Sequence, residues 1–313
     1  ILPSLNTIVA EYSSSKRRDL SIGFMHAGYP IGALVCGSIS TFLIAQYSWQ
    51  AVFVAGGIMS TVMLVVVIAG LPESLEFLLS RQPANALSKV NQLLGRLGHS
   101  SLAELPARTE SDTRDKPGVR YLLSGEMLTS SLLLWCAFFL TLFTVFFLQS
   151  WTPQIFVEAG FTNAQGRVGG IALSLGGIAG GLALGYASAW FSLATRVRAC
   201  MGLAALSMVG FIVFDASYNL LLAGAFVMAF FVFGSLIGLY AAAPRIYPTA
   251  VRVTGIAWGI GIGRIGAIAG PYVAGLMIGA GLPLLASFVV FAAIIFLAMV
   301  CMFFLKVPEP TAA

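Results

Sequence analysis

Charged residues are scarce in this 313-residue chain. Asp, Glu, Lys and Arg together make up 9% of the sequence, whereas hydrophobic residues make up 58%. Soluble globular domains carry about 25% charged residues, so this composition excludes an ordinary soluble domain. Apolar runs of about 20 residues, long enough to cross a hydrocarbon core of roughly 30 Å, recur along the chain. We predict eight spans, at 21–46, 50–71, 128–150, 168–190, 199–215, 218–242, 254–279 and 282–306.

Histidine and cysteine, the usual metal ligands and nucleophiles, are also few, with 2 His and 4 Cys. The cysteines lie in or beside apolar runs without metal-type spacing, which predicts small core residues, and they are Cys36, Cys136, Cys200 and Cys301. A polytopic membrane enzyme would need His, Asp or Glu clustered at membrane depth, where His26 and Arg264 stand nearly alone. The sequence therefore predicts no metal, no cofactor and no enzymatic activity.

Basic residues alternate between the two sides of the predicted spans. A net charge of +5 is compatible with a nucleic-acid partner, but these residues lie in short loops rather than on one compact basic face, which argues against one. One side carries Lys16, Arg17, Arg18, the basic residues from Arg81 to Arg120, Arg196, Arg198, Arg245, Arg252 and Lys306. The other side carries only Arg167, with Glu158 and Asp215. By the positive-inside rule, the first side and the C-terminus are cytoplasmic.

One long polar segment divides the chain. We predict four parts: the remainder of an N-terminal helical half at 1–71, a cytoplasmic loop at 72–127, a C-terminal six-helix half at 128–306, and a cytoplasmic tail at 307–313. Within the loop, a short amphipathic helix on the membrane face is predicted by apolar residues at helical spacing before Gly98, namely Leu87, Val90, Leu94 and Leu97. The segment Ala107–Gly118 is typical of a flexible linker.

An internal repeat emerges when the chain is shifted by 234 residues. Arg18 then falls on Arg252, and Pro30–Leu34 falls on Arg264–Ile268. Two residues off this register, Leu71–Ser74 matches Val307–Pro310. Each match alone is weak, but together they occupy equivalent places in the order of the spans. They indicate two homologous helical halves, an arrangement that is typical of secondary transporters with a site between the halves.

Several sequence segments carry a family resemblance. LPESLEFL (Leu71–Leu78) and PRIYPTAVRVTG (Pro244–Gly255), together with the central loop, resemble the major facilitator superfamily. Within it, the chain is most similar to aromatic acid:proton symporters, on the evidence of GYPIGAL (Gly28–Leu34), LQSWTPQIF (Leu148–Phe156) and the segment Tyr247–Pro271. Sugar and organic-ion carriers share pieces of these patterns, but Leu75 and Glu76 stand where sugar porters usually place Pro-Arg.

The resemblance implies an all-α, polytopic helical bundle of the major facilitator type. The chain opens on Ile1 with a partial span to Ala10, so we expect a fragment that lacks the family's first three helices. The implied function is proton-coupled uptake of a small aromatic or related organic acid by alternating access, by a monomer in a plasma membrane such as the bacterial inner membrane. The alternative is a carrier of the same superfamily for a sugar, an organic cation or a drug.

Substrate contacts are predicted in three of the C-terminal spans. Arg264 lies near the middle of a span, where a charge costs a few kcal/mol or more and usually faces a protein or water-filled interior. Its planar guanidinium suits a carboxylate, although it would equally satisfy helix-end carbonyls or an acid elsewhere in the protein. Phe138, Thr141 and Thr144 share a helical face that suits an aromatic acid. Tyr240 and Trp258 complete the predicted substrate site.

Coupling and gating are predicted at the remaining polar positions. His26 can exchange a proton near neutral pH, but a buried histidine bonded to a neighbouring helix is an equal alternative. Glu11 falls on Arg245 in the repeat register and is either an interfacial anchor or, with Arg18, Arg245 and Arg252, part of a cytoplasmic gate that the resemblance favours.

Two further patterns bear on gating. The predicted span 168–190 corresponds to the family's eighth helix. After it, Ala189 and Trp190 stand where the family places an acidic-basic pair, which leaves only Arg196 and Arg198 and puts a gating ion pair of this half in doubt. Three glycine ladders allow either static close packing or rocking of the halves, and they are Gly177-Gly181-Gly185, Gly255-Gly259-Gly263 and Gly28-Gly32.

Overall fold

A computed structural model describes residues 2–14, 17–98, 100–106, 119–213 and 217–308, and every regular element in these ranges is a helix. The helices are α1 (Leu2–Tyr12), α2 (Arg18–Gln46), α3 (Trp49–Gly70), α4 (Leu75–Arg81), α5 (Ala86–Arg96), α6 (Val119–Leu122), α7 (Gly125–Glu158), α8 (Asn163–Tyr186), α9 (Leu193–Val213), α10 (Tyr218–Ile246), α11 (Thr249–Gly279) and α12 (Leu284–Phe304). Within the described part, eight are long and apolar enough to cross a membrane. The predicted all-α class and eight spans are confirmed.

The helix ends differ from the predicted span ends because polar residues end an apolar run without ending a helix. Helix α7 continues beyond the predicted end at 150 to Glu158, through Pro153. Its extension is anchored by Trp151, whose indole Nε1 donates a hydrogen bond to the Pro271 carbonyl of α11 at 3.1 Å. Helix α8 begins at Asn163, five residues before the predicted start, because Thr162 and Gln165 form a capping box there.

The chain divides into two compact units, Ile1–Ile31 with Pro117–Ala313, and Gly32–Lys116. In the first unit, α7 packs on α11 and α12, α8 packs on α10, and α9 packs on α10 and α12. Aromatic side chains fill its core, where Phe147 stacks on Phe291 with ring centroids 3.7 Å apart. The predicted division at 72–127 stays a prediction.

Glycines let the helices of the first unit approach closely. A Cβ added at Gly180 of α8 would lie 1.9 Å from the Phe230 carbonyl oxygen of α10. Gly181, in the first predicted ladder, also meets α2, since a Cβ added at Gly23 would lie 2.9 Å from its carbonyl oxygen. A Cβ added at Gly28 would meet nothing within 4 Å. The α8 ladder is therefore a packing surface for two helices, as small residues commonly are in membranes.

The second unit contains the rest of α2 with α3, α4 and α5. The predicted amphipathic helix is present as α5, and its buried Val90 and Leu93 pack against Leu78 of α4, so the apolar face is covered by a neighbouring helix. Gly98 has φ +76°, as expected of a helix stop. The predicted linker 107–118 lies outside the described residues, as do Lys16, Asp215 and the tail from 309 onward.

Candidate functional site

Three aromatic rings from three helices meet in the first unit. The His26 imidazole of α2 stacks on the Tyr240 ring of α10, with centroids 4.0 Å apart and planes 14° apart. Phe138 of α7 contacts the Tyr240 ring, and the centroids of these two rings lie 5.3 Å apart. All three side chains are buried, and the His26 Nε2 atom makes no hydrogen bond to any described group. We call these residues the ring cluster.

Arg264 lies beside the ring cluster, half-way along α11. It is the sixteenth of the 31 residues of that helix. Its guanidinium carbon lies 6.0 Å from the centroid of the Phe146 ring, and its charge is close enough to act on the Tyr240 hydroxyl. The side chain is exposed and has no ion pair or hydrogen bond with any residue that the structure describes. Within the described chain, neither a helix-end carbonyl nor an acidic side chain binds the Arg264 guanidinium.

The other predicted substrate residues fall in different surroundings. Thr144 is fully buried, and its hydroxyl donates to the Leu140 carbonyl of its own helix at 3.0 Å. Thr141 is also fully buried, but its hydroxyl has no hydrogen-bond partner among the described atoms. Trp258 is exposed and stacks on Trp135 of α7 at 5.8 Å between centroids. The geometry thus joins Phe138, Tyr240 and His26 directly, with Arg264 nearby.

A buried ion cluster lies at one end of the first unit, where α2 begins and α10 ends. The Asp19 carboxylate accepts hydrogen bonds from Arg196 and from Arg245 through its two separate oxygens. The exposed fractions of the Asp19, Arg196 and Arg245 side chains are 3%, 6% and 7%, so water barely reaches these charges. We call these three residues the Asp19 cluster.

Arg196 is the most constrained member of the Asp19 cluster. Besides its bond to Asp19, it donates from Nη1 to the Leu184 carbonyl and from Nε to the Phe191 carbonyl at 3.0 Å. These carbonyls lie in and after the last turn of α8, so one guanidinium joins the end of α8, the start of α9 and the start of α2. The bond to Leu184 satisfies a carbonyl in the last turn of α8, where carbonyls lack intrahelical partners.

Of the gating residues predicted at this end, Arg245 belongs to the Asp19 cluster, and Arg18 and Arg252 lie near it. Arg18 lies close enough to Arg245 and Arg252 for their charges to repel. Arg252 donates from Nε to the Tyr247 carbonyl at 3.4 Å, a long bond. Glu11 is half-buried in the last turn of α1, and it interacts with another group of the protein.

Sequence reasoning missed Asp19 and Arg196 as partners. The motif after the eighth helix lacks its acidic member, which put an ion pair of that half in doubt. The structure corrects this, because the acid comes from the start of α2 and not from the motif. The available signal was Asp19 itself, an acid at the first turn of a span, directly after a run of basic residues.

Known proteins that are similar in sequence to this chain are transporters by name. The family model described as Major Facilitator Superfamily matches residues 1–235. The gallate transporter of Pseudomonas putida is 30% identical over 287 residues, covering 91% of this chain and 64% of the relative. The benzoate transport protein of Acinetobacter baylyi is 26% identical over 286 residues, covering 90% and 60%. This chain therefore spans less than two thirds of the length of these relatives.

A solved structure is similar in fold. The proton:xylose symporter of the major facilitator superfamily, bound to 6-bromo-6-deoxy-D-glucose, matches with a TM-score of 0.72 and 16% sequence identity. The match covers 97% of this chain and 67% of that chain. At this identity the likeness concerns the helical architecture alone.

Proposed function

Since this chain belongs to the major facilitator superfamily, we propose that it takes part in proton-coupled uptake of a small aromatic or related organic acid by alternating access. It is a multi-pass membrane protein. Relatives that it matches over about 90% of its own length are named for gallate, benzoate and 4-hydroxybenzoate transport. All are transporters by name, which supports transport rather than catalysis as the activity. A monomer that works without a cofactor is part of the proposal.

Arg264 carries this proposal. A carboxylate that enters the membrane needs a cation, and a guanidinium offers two parallel N–H donors to both carboxylate oxygens. The Arg264 side chain is free of acidic partners within the described chain and lies next to the ring cluster. In this proposal the substrate carboxylate binds Arg264, and its ring packs beside Phe138 and Tyr240, where aromatic contacts favour offset or edge-on geometry.

The remaining predicted residues have lesser roles in the proposal. The unpartnered hydroxyl of buried Thr141 offers a polar contact to the substrate, whereas Thr144 and Trp258 border the site. His26 is proposed to couple the proton, because its buried Nε2 lacks a hydrogen-bond partner in the described structure and its ring lies on Tyr240. A substrate that displaces this stack changes the surroundings of the imidazole, which links acid binding to proton binding.

The Asp19 cluster is proposed to hold the cytoplasmic end of the transport path closed, with Glu11, Arg18 and Arg252 around it. Removing one partner from a buried ion pair costs about 3–5 kcal/mol, but separating intact partners into water restores their hydration. An ion cluster of this kind therefore opens reversibly without a large net cost. Alternating access requires such a contact to form and break in every cycle.

Uptake measurements on the intact protein in membrane vesicles test the proposal. We expect labelled benzoate or 4-hydroxybenzoate to accumulate when a proton gradient is imposed, and accumulation to collapse when a protonophore discharges it. Vesicles without the protein are the control. Unchanged uptake under the protonophore would indicate a uniporter, and transport of xylose, an organic cation or a drug without acid uptake would support the alternative carrier.

The orientation in a bacterial inner membrane is part of the proposal and has its own test. The basic loops are placed in the cytoplasm, together with the C-terminus. The test introduces a single cysteine either at Ser100, in the central loop, or at Glu158, at the end of α7. Both positions are exposed. An impermeant thiol reagent should label Cys-substituted Glu158 in intact cells and Cys-substituted Ser100 only in inverted vesicles. Labelling of both from the same side would overturn the proposed topology.

A further inference from the structure

A proline interrupts α10 next to both regions described above. Pro244 lies inside the helix, two residues before its end at Ile246. Proline has no backbone N–H, so it makes no bond to the carbonyl four residues earlier, which is the carbonyl of Tyr240. A carbonyl without a partner is costly where water is excluded, and in membrane helices it is commonly satisfied by a neighbouring helix.

Asn6 supplies the missing donor. Its Nδ2 atom donates a hydrogen bond to the Tyr240 carbonyl oxygen at 2.8 Å, across from α1. Asn6 is fully buried, and its Oδ1 atom has no hydrogen-bond partner among the described atoms. Burying an amide with half of its hydrogen-bonding capacity unused is unfavourable, so packing alone does not explain an asparagine at this place. The bond to Tyr240 does.

The internal repeat shows why only one of the two related helices needs this donor. Asn6 and Tyr240 are 234 residues apart, which is the shift that relates the two halves, so they occupy equivalent positions in α1 and α10. The residue equivalent to Pro244 is Ala10, which keeps its backbone N–H. Helix α1 is therefore complete by itself, whereas α10 depends on a side chain from its counterpart.

Along α10, Pro244 lies between the residues of the ring cluster and those of the Asp19 cluster. Tyr240 lies on the N-terminal side of Pro244, and its ring stacks on His26 and contacts Phe138. Arg245, which directly follows Pro244, binds Asp19. Prolines are the usual sites at which helices kink, because the hydrogen-bond ladder is already broken there. A change in the angle at Pro244 would move Tyr240 relative to Arg245.

We propose that Asn6 is a positioning residue, whose amide replaces the missing helical N–H at Pro244 and thereby holds Tyr240 in the ring cluster while the Asp19 cluster is formed. When α1 and α10 separate near Pro244, the Asn6 amide leaves the Tyr240 carbonyl, and α10 is then free to bend at Pro244. The role of Tyr240 in substrate binding rests on the proposed function. The helix-completing role of Asn6 does not.

A double-mutant cycle on the intact protein tests the proposal. Asn6→Leu keeps the volume but removes the donor, so we expect a lower melting temperature in detergent and about a tenfold higher KM for the acid, with a smaller change in the maximal rate. Pro244→Ala restores the backbone N–H, which then bonds the Tyr240 carbonyl. In that background, Asn6→Leu should change KM by less than about twofold and leave the melting temperature nearly unchanged. Pro244→Leu, which also carries an N–H, replaces Pro244→Ala if the latter does not insert.

Ser235→Ala is the matched control. The Ser235 hydroxyl donates to the Val232 carbonyl within α10, away from Pro244, so its removal should have the same effect in both backgrounds. Equal effects of Asn6→Leu in both backgrounds, or none in either, would overturn the proposal. A non-additive melting temperature in a protein that transports no aromatic acid would retain the role of Asn6 and refute the proposed substrate instead.

Discussion

Neutralising Asp19 should open the end of the transport path at which the Asp19 cluster lies. Asp19→Asn keeps the shape of the side chain but removes the carboxylate that the buried guanidiniums of Arg196 and Arg245 share. The loss of one partner of a buried ion pair costs about 3–5 kcal/mol. Because asparagine still accepts one hydrogen bond, we take the lower value of about 3 kcal/mol, which is about 150-fold in an equilibrium constant.

If the Asp19 cluster exists only in the closed state, the substitution destabilises the closed state alone. A state open at this end and populated at about 1% would then become the major species at about 60%. Thr141→Cys reports on the state in a background without the four native cysteines, since Thr141 is fully buried in the closed structure. We expect an impermeant thiol reagent to label it much faster in inverted vesicles when Asp19→Asn is also present.

Arg198→Gln is the control for this experiment. Arg198 lies at the same end, but it donates to the Met302 carbonyl at 2.9 Å and lies over the Phe303 ring, outside the Asp19 cluster. Its removal should leave the labelling rate unchanged. If Asp19→Asn lowered the melting temperature but labelled as slowly as the parent, the cluster would persist in both states, and its proposed gating role would be wrong.

Two further predictions concern contacts between helices. Gly180→Ala should lower the melting temperature by several degrees, because the added Cβ would lie 1.9 Å from the Phe230 carbonyl oxygen. Gly261→Ala is the control and should leave the melting temperature unchanged, since its Cβ would meet nothing within 4 Å. Equal effects of the two substitutions would contradict the packing of α8 on α10. Cys136 and Cys301, whose sulfur atoms lie 3.7 Å apart, should form a disulfide between α7 and α12 under a membrane-permeable oxidant, with both thiols lost to alkylation. Two thiols that stay free would contradict the contact.

The spans could be predicted from the sequence because a 30 Å apolar layer demands long apolar runs. Their ends could not, since capping at Thr162 and side-chain contacts such as that of Trp151 depend on neighbouring residues and helices. Phe138, Tyr240 and His26 were each singled out by residue type and depth. Their meeting in one cluster follows from how α2, α7 and α10 pack, which no periodicity within a single helix encodes.

The Asp19 cluster shows the same limit more sharply. Asp19 is 177 residues from Arg196 and 226 from Arg245, and no local motif relates the three. The basic residues beside Asp19 were interpreted as a signal of topology, and the acid that follows them was not given a role. The repeat shift of 234 residues was the single long-range signal, and the Asn6 contact with Tyr240 falls on it.

The most direct test of the central claim is the uptake of a benzoate-like acid by the Arg264→Ala protein, measured against its amount in the membrane. Truncating one partner of a desolvated, hydrogen-bonded charge pair costs about 2–5 kcal/mol, so we expect uptake to fall at least about 30-fold. Arg264→Lys, which keeps the charge but loses the planar fork, should bind more weakly without losing all transport. Arg198→Ala should transport at the parental rate. Parental uptake by Arg264→Ala would contradict the account, because the arginine would then be structural and the substrate carboxylate would bind elsewhere.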